Sequence, residues 1–246
     1  MVWRELVTKL LYMDDSYLRE FDATVTRVGD NGIVLDRTAF CPKGGGLPGD
    51  IGSMIKDSES YIVDDSTKEG DEVVHRVAKV GLKVGDGVRG TLDWGRRYAM
   101  MRMHTGMHAL ASTFNKKAGA LITGNQVNAD RSRLDLNIER FDRELIEEAI
   151  AETNRELAKN AKVKVYYLPR AEALGMPGIV KLAEAAPPDV ERLRIVEIEG
   201  LDVQADGGPH VVNTLEVGKL VLAKVENKGK SNRRIYFTLG AVKPPT

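Results

Sequence analysis

Residues 201–214 read LDVQADGGPHVVNT, and this stretch holds a histidine directly behind a glycine and proline turn. Gly207–Pro209 alone would mark only a loop between regular elements. Asp206 lies four residues before His210, so a single turn can bring the two side chains to a common point. Two interpretations are open: a turn in which Asp206 caps backbone N–H groups and His210 packs, or one half of a metal site.

A second pair with the same spacing lies upstream, in HTGMHAL, where His104 and His108 stand four residues apart. Residues 96–119 show helical periodicity, so the spacing puts both imidazoles on one helix face. Residue 105 is Thr where the metalloprotease motif HExxH has Glu, and protease chemistry is therefore disfavoured. The remaining histidine, His75, has no partner nearby in sequence, and we expect it to be a hydrogen-bonded strand residue.

The two pairs together offer three imidazole nitrogens and one carboxylate, a donor set that suits a tetrahedral Zn²⁺ site. One such pair alone would be weak support, but three of the four histidines in the chain fall in these pairs. The sequence therefore predicts four ligands for one metal ion: His104, His108, Asp206 and His210.

Upstream of the helix, residues 22–94 form short β-like runs divided by Gly, Asp and Asn, a spacing typical of a small barrel or sandwich. The cluster CPKGGGLPGDIG lies inside this region. Gly44, Gly45 and Gly46 can form a plain loop, or they can let backbone N–H groups approach a ligand closely.

Downstream, helices and strands are interleaved without a regular βαβ rhythm, which predicts an α+β fold for the second part. Residues 142–161 carry one apolar stripe and predict a helix, and residues 170–174 predict a short one. Strands are predicted within residues 119–129, 132–139, 162–169, 193–204, 219–229 and 233–240.

Composition sets the class of protein. The 246 residues are 42% apolar and 29% charged, which is ordinary for a globular protein of one or two domains. No run approaches the ~20 apolar residues of a membrane helix, and acids replace the apolar core of a signal peptide. The single cysteine, Cys41, excludes an intramolecular disulfide and fits a reducing compartment, so we expect a cytoplasmic protein.

Formal charge is zero, with 36 basic and 36 acidic residues, so a nucleic-acid partner must be held by a local patch. Residues 219–234 hold six bases and one acid. This run is either a solvated face or such a patch.

These motifs carry a resemblance. TAFCPKGGGLPGDIG, HTGMHAL and DGGPHVVNTLEVG occur in this order, with LDWGRRYAMMRMHT, TGNQV and ENKGKSNRRIYFTL between or after them. The set resembles the freestanding alanyl-tRNA editing (AlaX) proteins, in their medium-length form, and the editing domain of alanyl-tRNA synthetase. The resemblance covers nearly the whole chain, and widely spaced motifs in the same order are more specific than any one of them.

The resemblance implies a small N-terminal β-barrel with the glycine-rich loop, residues 1–92, and a two-layer α+β editing domain that binds one Zn²⁺, residues 93–246. It implies hydrolysis of the aminoacyl ester of tRNA(Ala) that carries serine or glycine. No membrane or DNA partner is expected, and the chain is expected to be a monomer or weak dimer.

The resemblance also suggests site residues. Thr105 and the loop Gly44–Gly46 are candidates for the catalytic pocket that reads the serine hydroxyl, although Thr105 can equally bond to its own helical turn. We expect Leu47 to line that pocket. Contacts to the tRNA backbone are expected from Lys228, Lys230 and Arg233.

Two departures from the family pattern matter. Asp206 and Pro209 stand where the family motif Cys-Gly-Gly-Thr-His has Cys and Thr, which bears on the identity of the metal. Cys41 and Leu47 replace the Tyr and Gln of its glycine motif, which bears on substrate selection. Two other functions stay open: a non-catalytic RNA-binding module with a structural zinc, and editing of seryl-tRNA(Thr).

Overall fold

The computed structural model describes residues 7–138, 143–181, 183, 188–229 and 232–242. The chain divides into two compact units, Met1–Arg97 and Tyr98–Thr246. Among the described residues, no helix is long and apolar enough to cross a membrane. The domain limits expected from the sequence, residues 1–92 and 93–246, stay a prediction.

The N-terminal unit is built mostly from short β-strands. The strands are β1 Lys9–Leu10, β2 Glu20–Gly29, β3 Gly32–Leu35, β4 Arg37–Thr38, β5 Gly52–Lys56, β6 Glu59–Val63, β7 Asp65–Glu69, β8 Glu72–Arg76 and β9 Gly87–Leu92. β1 and β4 form a parallel pair, and the other seven form one sheet in the order β6-β5-β9-β2-β3-β8-β7. Its core is a cluster of buried apolar side chains that includes Phe21, Phe40, Met54, Tyr61 and Val88.

The predicted N-terminal barrel is not supported, because the described strands do not form a closed sheet. A barrel requires its two edge strands to hydrogen-bond to each other. Here the edges are β6 and β7, and the described strands show no pairing between them. Only Asp64 separates Val63 from Asp65, so β6 and β7 follow each other end to end, whereas a hairpin needs at least about two turn residues.

The glycine-rich loop of this unit ends in a buried ion pair. Gly44 and Leu47 bond to each other through their backbones, and Gly45 and Gly46 have the positive φ angles of 58° and 90° that favour glycine. The carboxylate of Asp50 accepts from the backbone N–H of Cys41 at 2.6 Å and from the Arg97 guanidinium Nε at 3.0 Å.

That guanidinium is fully buried and anchors the loop further. Arg97 Nη2 donates to the carbonyl of Ala39, and Nη1 donates to that of Ser16 at 3.1 Å. A buried charge of this kind is tolerated because each polar group has a partner.

The described residues of the second unit form three α-helices and two antiparallel sheets. The helices are α1 Trp94–Ala118, whose first turn belongs to the N-terminal unit, α2 Arg143–Leu157 and α3 Arg170–Leu174. The strands are β10 Ile122–Gln126, β11 Ser132–Leu136, β12 Val163–Pro169, β13 Arg192–Ile198, β14 Asp202–Ala205, β15 Leu220–Asn227 and β16 Arg233–Leu239. They form a four-stranded sheet, β10-β11-β16-β15, and a three-stranded sheet, β12-β13-β14.

Helix α1 is buried on all sides through its middle. Every residue from Met103 to Phe114 is buried, so the apolar periodicity seen in the sequence marks a central helix and not one with a solvated face. Gly106 permits close packing: a Cβ atom there would lie 3.1 Å from Val217 Cγ1. The helix ends before Gly119, whose φ of 63° is the left-handed geometry of a helix C-terminus.

The predicted strands and helices of this unit are confirmed in kind and order. Residues 193–204, predicted as strand, are two strands joined by a turn at Glu199–Leu201. The predicted start of the helix at residue 142 lies outside the described residues. In the N-terminal unit, β7 is the polar segment DSTKE, whose strand propensity is weak, and it pairs with β8.

Candidate metal centre

Two segments of the second unit supply the predicted metal ligands. His104 and His108 lie one turn apart on α1, and their ring centroids are 4.8 Å from each other. Asp206 and His210 follow β14 in the loop that contains Gly207 and Gly208. The His210 ring stacks on the His104 ring at 4.2 Å between centroids.

Arg194 on β13 shapes the loop after β14. Its Nη1 donates to the carbonyls of Asp206 and Gly208, each at 2.9 Å. The carboxylate of Asp206 accepts from the N–H of Gly208 at 2.7 Å. The turn-capping role that was an alternative for Asp206 is therefore present, and it leaves the carboxylate turned toward the histidines.

The four side chains converge. Their potential ligand atoms all lie within 4.8 Å of one another. Nε2 of His104, His108 and His210 lies 3.6, 3.7 and 3.2 Å from the Asp206 carboxylate oxygens. The histidines are buried, and the Asp206 side chain is 22% exposed.

The other ring nitrogen of each histidine has its own partner. Nδ1 of His104 faces the carbonyl of Pro209 at 3.4 Å, and Nδ1 of His108 faces the Asp202 carboxylate at 3.2 Å. Both partners are acceptors, so Nδ1 carries the proton and leaves the Nε2 lone pair for a cation.

Thr105 is the neighbour of Nδ1 in the third histidine, His210. Its hydroxyl oxygen lies 3.0 Å from Nδ1 of His210 and accepts from the N–H of Val211 at 3.3 Å. Thr105 is fully buried. The structure thus brings Thr105 to the cluster behind one of its histidines.

Burial and charge set the protonation of the cluster. Burial lowers the pKa of His104 to about 4 and holds the pKa of His210 well below its usual range. Burial opposes the charged form of His108 as well, but hydrogen bonds to Asp202 and Asp206 outweigh it and raise its pKa to about 9. Burial would raise the pKa of Asp206, yet the histidines around it hold that pKa well below its usual range.

This donor set fits a divalent cation. At neutral pH it contains an ionised carboxylate and two neutral imidazoles, and a cation would displace one proton from the third. Three nitrogens and one oxygen in a buried cluster are typical of zinc, and no thiolate takes part.

The other predicted pocket residues belong to the N-terminal unit. Gly44 and Gly45 are exposed and Gly46 is half-buried. Leu47 is buried, with 6% of its surface exposed.

The predicted basic contacts differ among themselves. The Lys228 ammonium is exposed and pairs with Glu226 at 3.2 Å. Arg233 is buried, and its Nη1 donates to the carbonyls of Gly229 and Asn232. This burial does not suit Arg233 to a phosphate contact, and Lys230 lies outside the described residues.

Sequence reasoning missed the residues behind the ligands. Asp202 and Gln204 precede Asp206 at steps of two, which is the strand period and a signal that their side chains share one face. Lys181, which contacts Asp202, lies in an irregular segment and gave no signal.

Two family models match the chain. One, described as the threonyl and alanyl tRNA synthetase second additional domain, matches residues 193–236. The other, described as class II (A) tRNA synthetases, matches residues 6–96.

Individual proteins are similar over most of the chain. An alanyl-tRNA editing protein AlaX-M from Saccharolobus solfataricus is 46% identical over 95% of this chain and 99% of its own length. The AlaX-M protein of Methanosarcina acetivorans is 43% identical with the same coverage. An alanine–tRNA ligase from Pyrococcus furiosus is 36% identical over 95% of this chain, which corresponds to 26% of the ligase.

Proposed function

The chain belongs to the alanyl-tRNA editing protein family, and from that premise we propose that it hydrolyses the ester of seryl-tRNA(Ala), with glycyl-tRNA(Ala) as a second substrate. Curated relatives named alanyl-tRNA editing protein AlaX-M match nearly the full chain at 42–46% identity. Such proteins are deacylases, so the chain is an aminoacyl-tRNA hydrolase. The observation that carries the proposal is the convergence of three imidazoles and one carboxylate in the second unit.

We propose that His104, His108, Asp206 and His210 hold one Zn²⁺. When bound, the zinc supplies a Lewis acid that can polarise an oxygen of water or substrate. An aminoacyl ester is already activated, so hydrolysis needs a positioned water and a fixed carbonyl more than it needs a covalent nucleophile.

Thr105 serves this site best as a positioning residue. Its hydroxyl oxygen is within hydrogen-bond distance of His210 Nδ1 and of the N–H of Val211, in a fully buried position. This supports a role in orienting His210, and it leaves the reading of the serine hydroxyl to other groups.

We assign that reading to the loop Gly44–Gly46, with Leu47 as a neighbour that shapes the pocket. The support is the family resemblance of the loop, together with the exposure of Gly44 and Gly45. A site with polar groups matched to the serine hydroxyl rejects alanine, because the missing hydroxyl leaves those groups unpaired.

The remaining proposals concern the partner and the setting. We propose that Lys228 and Lys230 contact the tRNA backbone, and that the domains correspond to residues 1–92 and 93–246. We further propose a monomer or weak dimer in the cytoplasm, where the charged tRNA is found and where Cys41 stays reduced.

The test is a deacylation assay with four substrates side by side: seryl-tRNA(Ala), glycyl-tRNA(Ala), seryl-tRNA(Thr) and alanyl-tRNA(Ala). We expect seryl-tRNA(Ala) to be hydrolysed at least about a hundredfold faster than alanyl-tRNA(Ala), since a buried hydroxyl-reading site discriminates strongly. His104→Ala should abolish the activity, and His75→Gln, which alters the histidine outside the cluster, should keep it.

Two results would contradict the proposal. Hydrolysis of none of the four substrates by zinc-loaded protein would favour an RNA-binding module with a structural zinc. A preference for seryl-tRNA(Thr) would keep the reaction and replace the tRNA.

A further inference from the structure

A second carboxylate stands directly behind the candidate metal centre. Asp202 on β14 is buried, and its Oδ2 lies 3.2 Å from Nδ1 of His108. The same oxygen accepts from the side-chain amide of Gln204 at 2.8 Å. The other oxygen, Oδ1, accepts from the ammonium of Lys181. Both carboxylate oxygens are therefore engaged, and the side chain has little freedom to turn.

Lys181 is equally constrained. Only 7% of this lysine is exposed, although lysine is rarely buried without a charged partner. Besides Asp202 Oδ1, its ammonium donates to the carbonyls of Gly178 at 3.2 Å and Val203 at 3.3 Å. Each of its three N–H donors thus has an acceptor, and only one of the acceptors is charged.

The three histidines of the centre differ in what holds Nδ1. His104 has a backbone carbonyl and His210 has a hydroxyl, both neutral. His108 alone has a carboxylate, and a lysine stands behind that carboxylate. A carboxylate behind a ligand histidine fixes the ring and makes Nε2 a stronger donor.

We propose that Asp202 and Lys181 form a positioning pair for His108, in which the two members have opposite effects on the cation. Asp202 holds the ring with Nε2 toward the centre and adds negative charge. Lys181 balances that charge when no cation is present and repels the cation when one binds. The inference rests on the proposed metal centre and not on the identity of the tRNA substrate.

Because Asp202 and Lys181 should have opposite effects on zinc affinity, zinc itself is the probe in the test. Zinc affinity is measured by competition with a chromogenic chelator, and thermal unfolding is followed with and without zinc. Asp202→Asn should weaken zinc binding by about 10- to 100-fold, as loss of an outer-shell partner typically does. The gap between the Tm values with and without zinc should narrow.

Lys181→Met should act the other way. Zinc binding should tighten several-fold because one positive charge is removed behind the centre. The zinc-free protein should lose stability because the buried carboxylate of Asp202 loses its pairing with the Lys181 ammonium, so the gap between the two Tm values should widen. A merely structural ion pair would lower both Tm values equally in both variants and leave the gap unchanged.

Lys116→Met is the matched control. Lys116 and Lys181 line the same cavity of about 310 Å³, but the exposed Lys116 ammonium donates to the carbonyl of Gly200 at 3.4 Å. Its replacement should leave zinc affinity and the Tm gap unchanged.

The double variant Asp202→Asn/Lys181→Met decides the matter if Lys181→Met does not fold, because no buried charge is left unpaired in it. It should bind zinc more weakly than the wild type, because the carboxylate behind His108 is lost, but several-fold more tightly than Asp202→Asn, because the repulsion from Lys181 is lost as well. Zinc affinity in the double variant no higher than in Asp202→Asn, or a shift in the same direction in both single variants, would overturn the inference. None of these measurements uses deacylation, so failure of the proposed function would leave the inference standing.

Discussion

His75 in the N-terminal unit and the three histidines of the second unit are all buried, but their surroundings differ. His75 bonds through Nε2 to the Thr38 hydroxyl at 2.8 Å and through Nδ1 to the carbonyl of Ile33 at 3.0 Å. Both of its ring nitrogens are used within the N-terminal unit. In the second unit each histidine uses Nδ1 in this way and turns Nε2 toward Asp206. Burial therefore does not identify a ligand histidine. What distinguishes the two regions is the group that faces Nε2, which is a hydroxyl for His75 and the Asp206 carboxylate for the other three.

The same contrast holds for two carboxylates. Asp50 in the N-terminal unit forms an ion pair with the buried guanidinium of Arg97. Through this pair it connects the glycine-rich loop to the start of α1. Asp206 faces three imidazoles, which are donors suited to a shared cation. One carboxylate completes a structural network, and the other completes a ligand set.

The largest expected effect comes from removing a ligand histidine. His104→Ala should weaken zinc binding by about 2.5–4 kcal/mol, a quarter of the ~10–16 kcal/mol typical of a four-ligand site. His75→Gln should bind zinc like the wild type, since His75 has no nitrogen left for a metal. Metal analysis of protein purified without chelator measures both. Full zinc content in His104→Ala would show that His104 is not a zinc ligand. Loss of zinc in His75→Gln would show that His75 contributes to zinc binding.

His75 should instead affect stability as a function of pH. Burial lowers its pKa to about 4, from 6.5 in the unfolded chain. Between pH 6.5 and about pH 4 the unfolded state therefore binds a proton at His75 and the folded state does not. The free energy of unfolding falls as the pH falls through this range. His75 alone should lower the free energy of unfolding by about 3 kcal/mol over this range.

Urea unfolding of the wild type and His75→Gln at pH 7 and pH 4 measures this loss. Glutamine can donate and accept a hydrogen bond but does not titrate, so the variant should lose about 3 kcal/mol less than the wild type over this range. The histidines of the cluster are common to both proteins and cancel in the difference. An identical pH dependence in the two proteins would show that His75 is not held neutral.

A smaller effect is expected when the carboxylate of the cluster is changed. Asp206→Ala should weaken zinc binding at least about tenfold, and Asp206→Cys should keep or tighten it, because thiolate is a good zinc ligand. Alkylation of the wild type should spare zinc, since the only cysteine, Cys41, lies outside the cluster. Equal affinity in the wild type and both variants would mean that Asp206 only caps its turn.

The smallest effect concerns the basic run of the second unit. Lys228→Ala should lower the salt dependence of tRNA binding by about one unit of slope, as expected for one lost phosphate contact. Lys159→Ala is the control, because Lys159 is also exposed and paired with a glutamate, Glu156. If the salt dependence of tRNA binding has the same slope in both variants, Lys228 is a solvated charge and does not contact a phosphate.

Much of the second unit could be predicted from sequence because its signals are local. The end of α1 follows from Gly119, and β16 follows from the run RRIYFTLG. The spacing of the histidine and Asp/His pairs identified the four side chains that converge, and the family resemblance is confirmed by the relatives at 42–46% identity.

The N-terminal unit was predicted less well. Its strands are short, and β7 is a polar edge strand that forms by pairing with β8. The closure of a sheet is also not visible in local sequence, because it depends on which strands become neighbours. The barrel was expected from the resemblance, and the open order of the seven strands replaced it.

The sequence by itself determined the family, the order of helices and strands in the second unit, and the two i,i+4 pairs that meet at one point, because periodicity and spacing act over a few residues. Only the tertiary structure decided what stands behind those ligands. Lys181 and Asp202 are 21 residues apart, and His108 and Asp202 are 94 apart, so their contacts exist only once α1 and β14 have packed. For the same reason, only the folded chain shows that Arg233 is buried while Lys228 remains exposed.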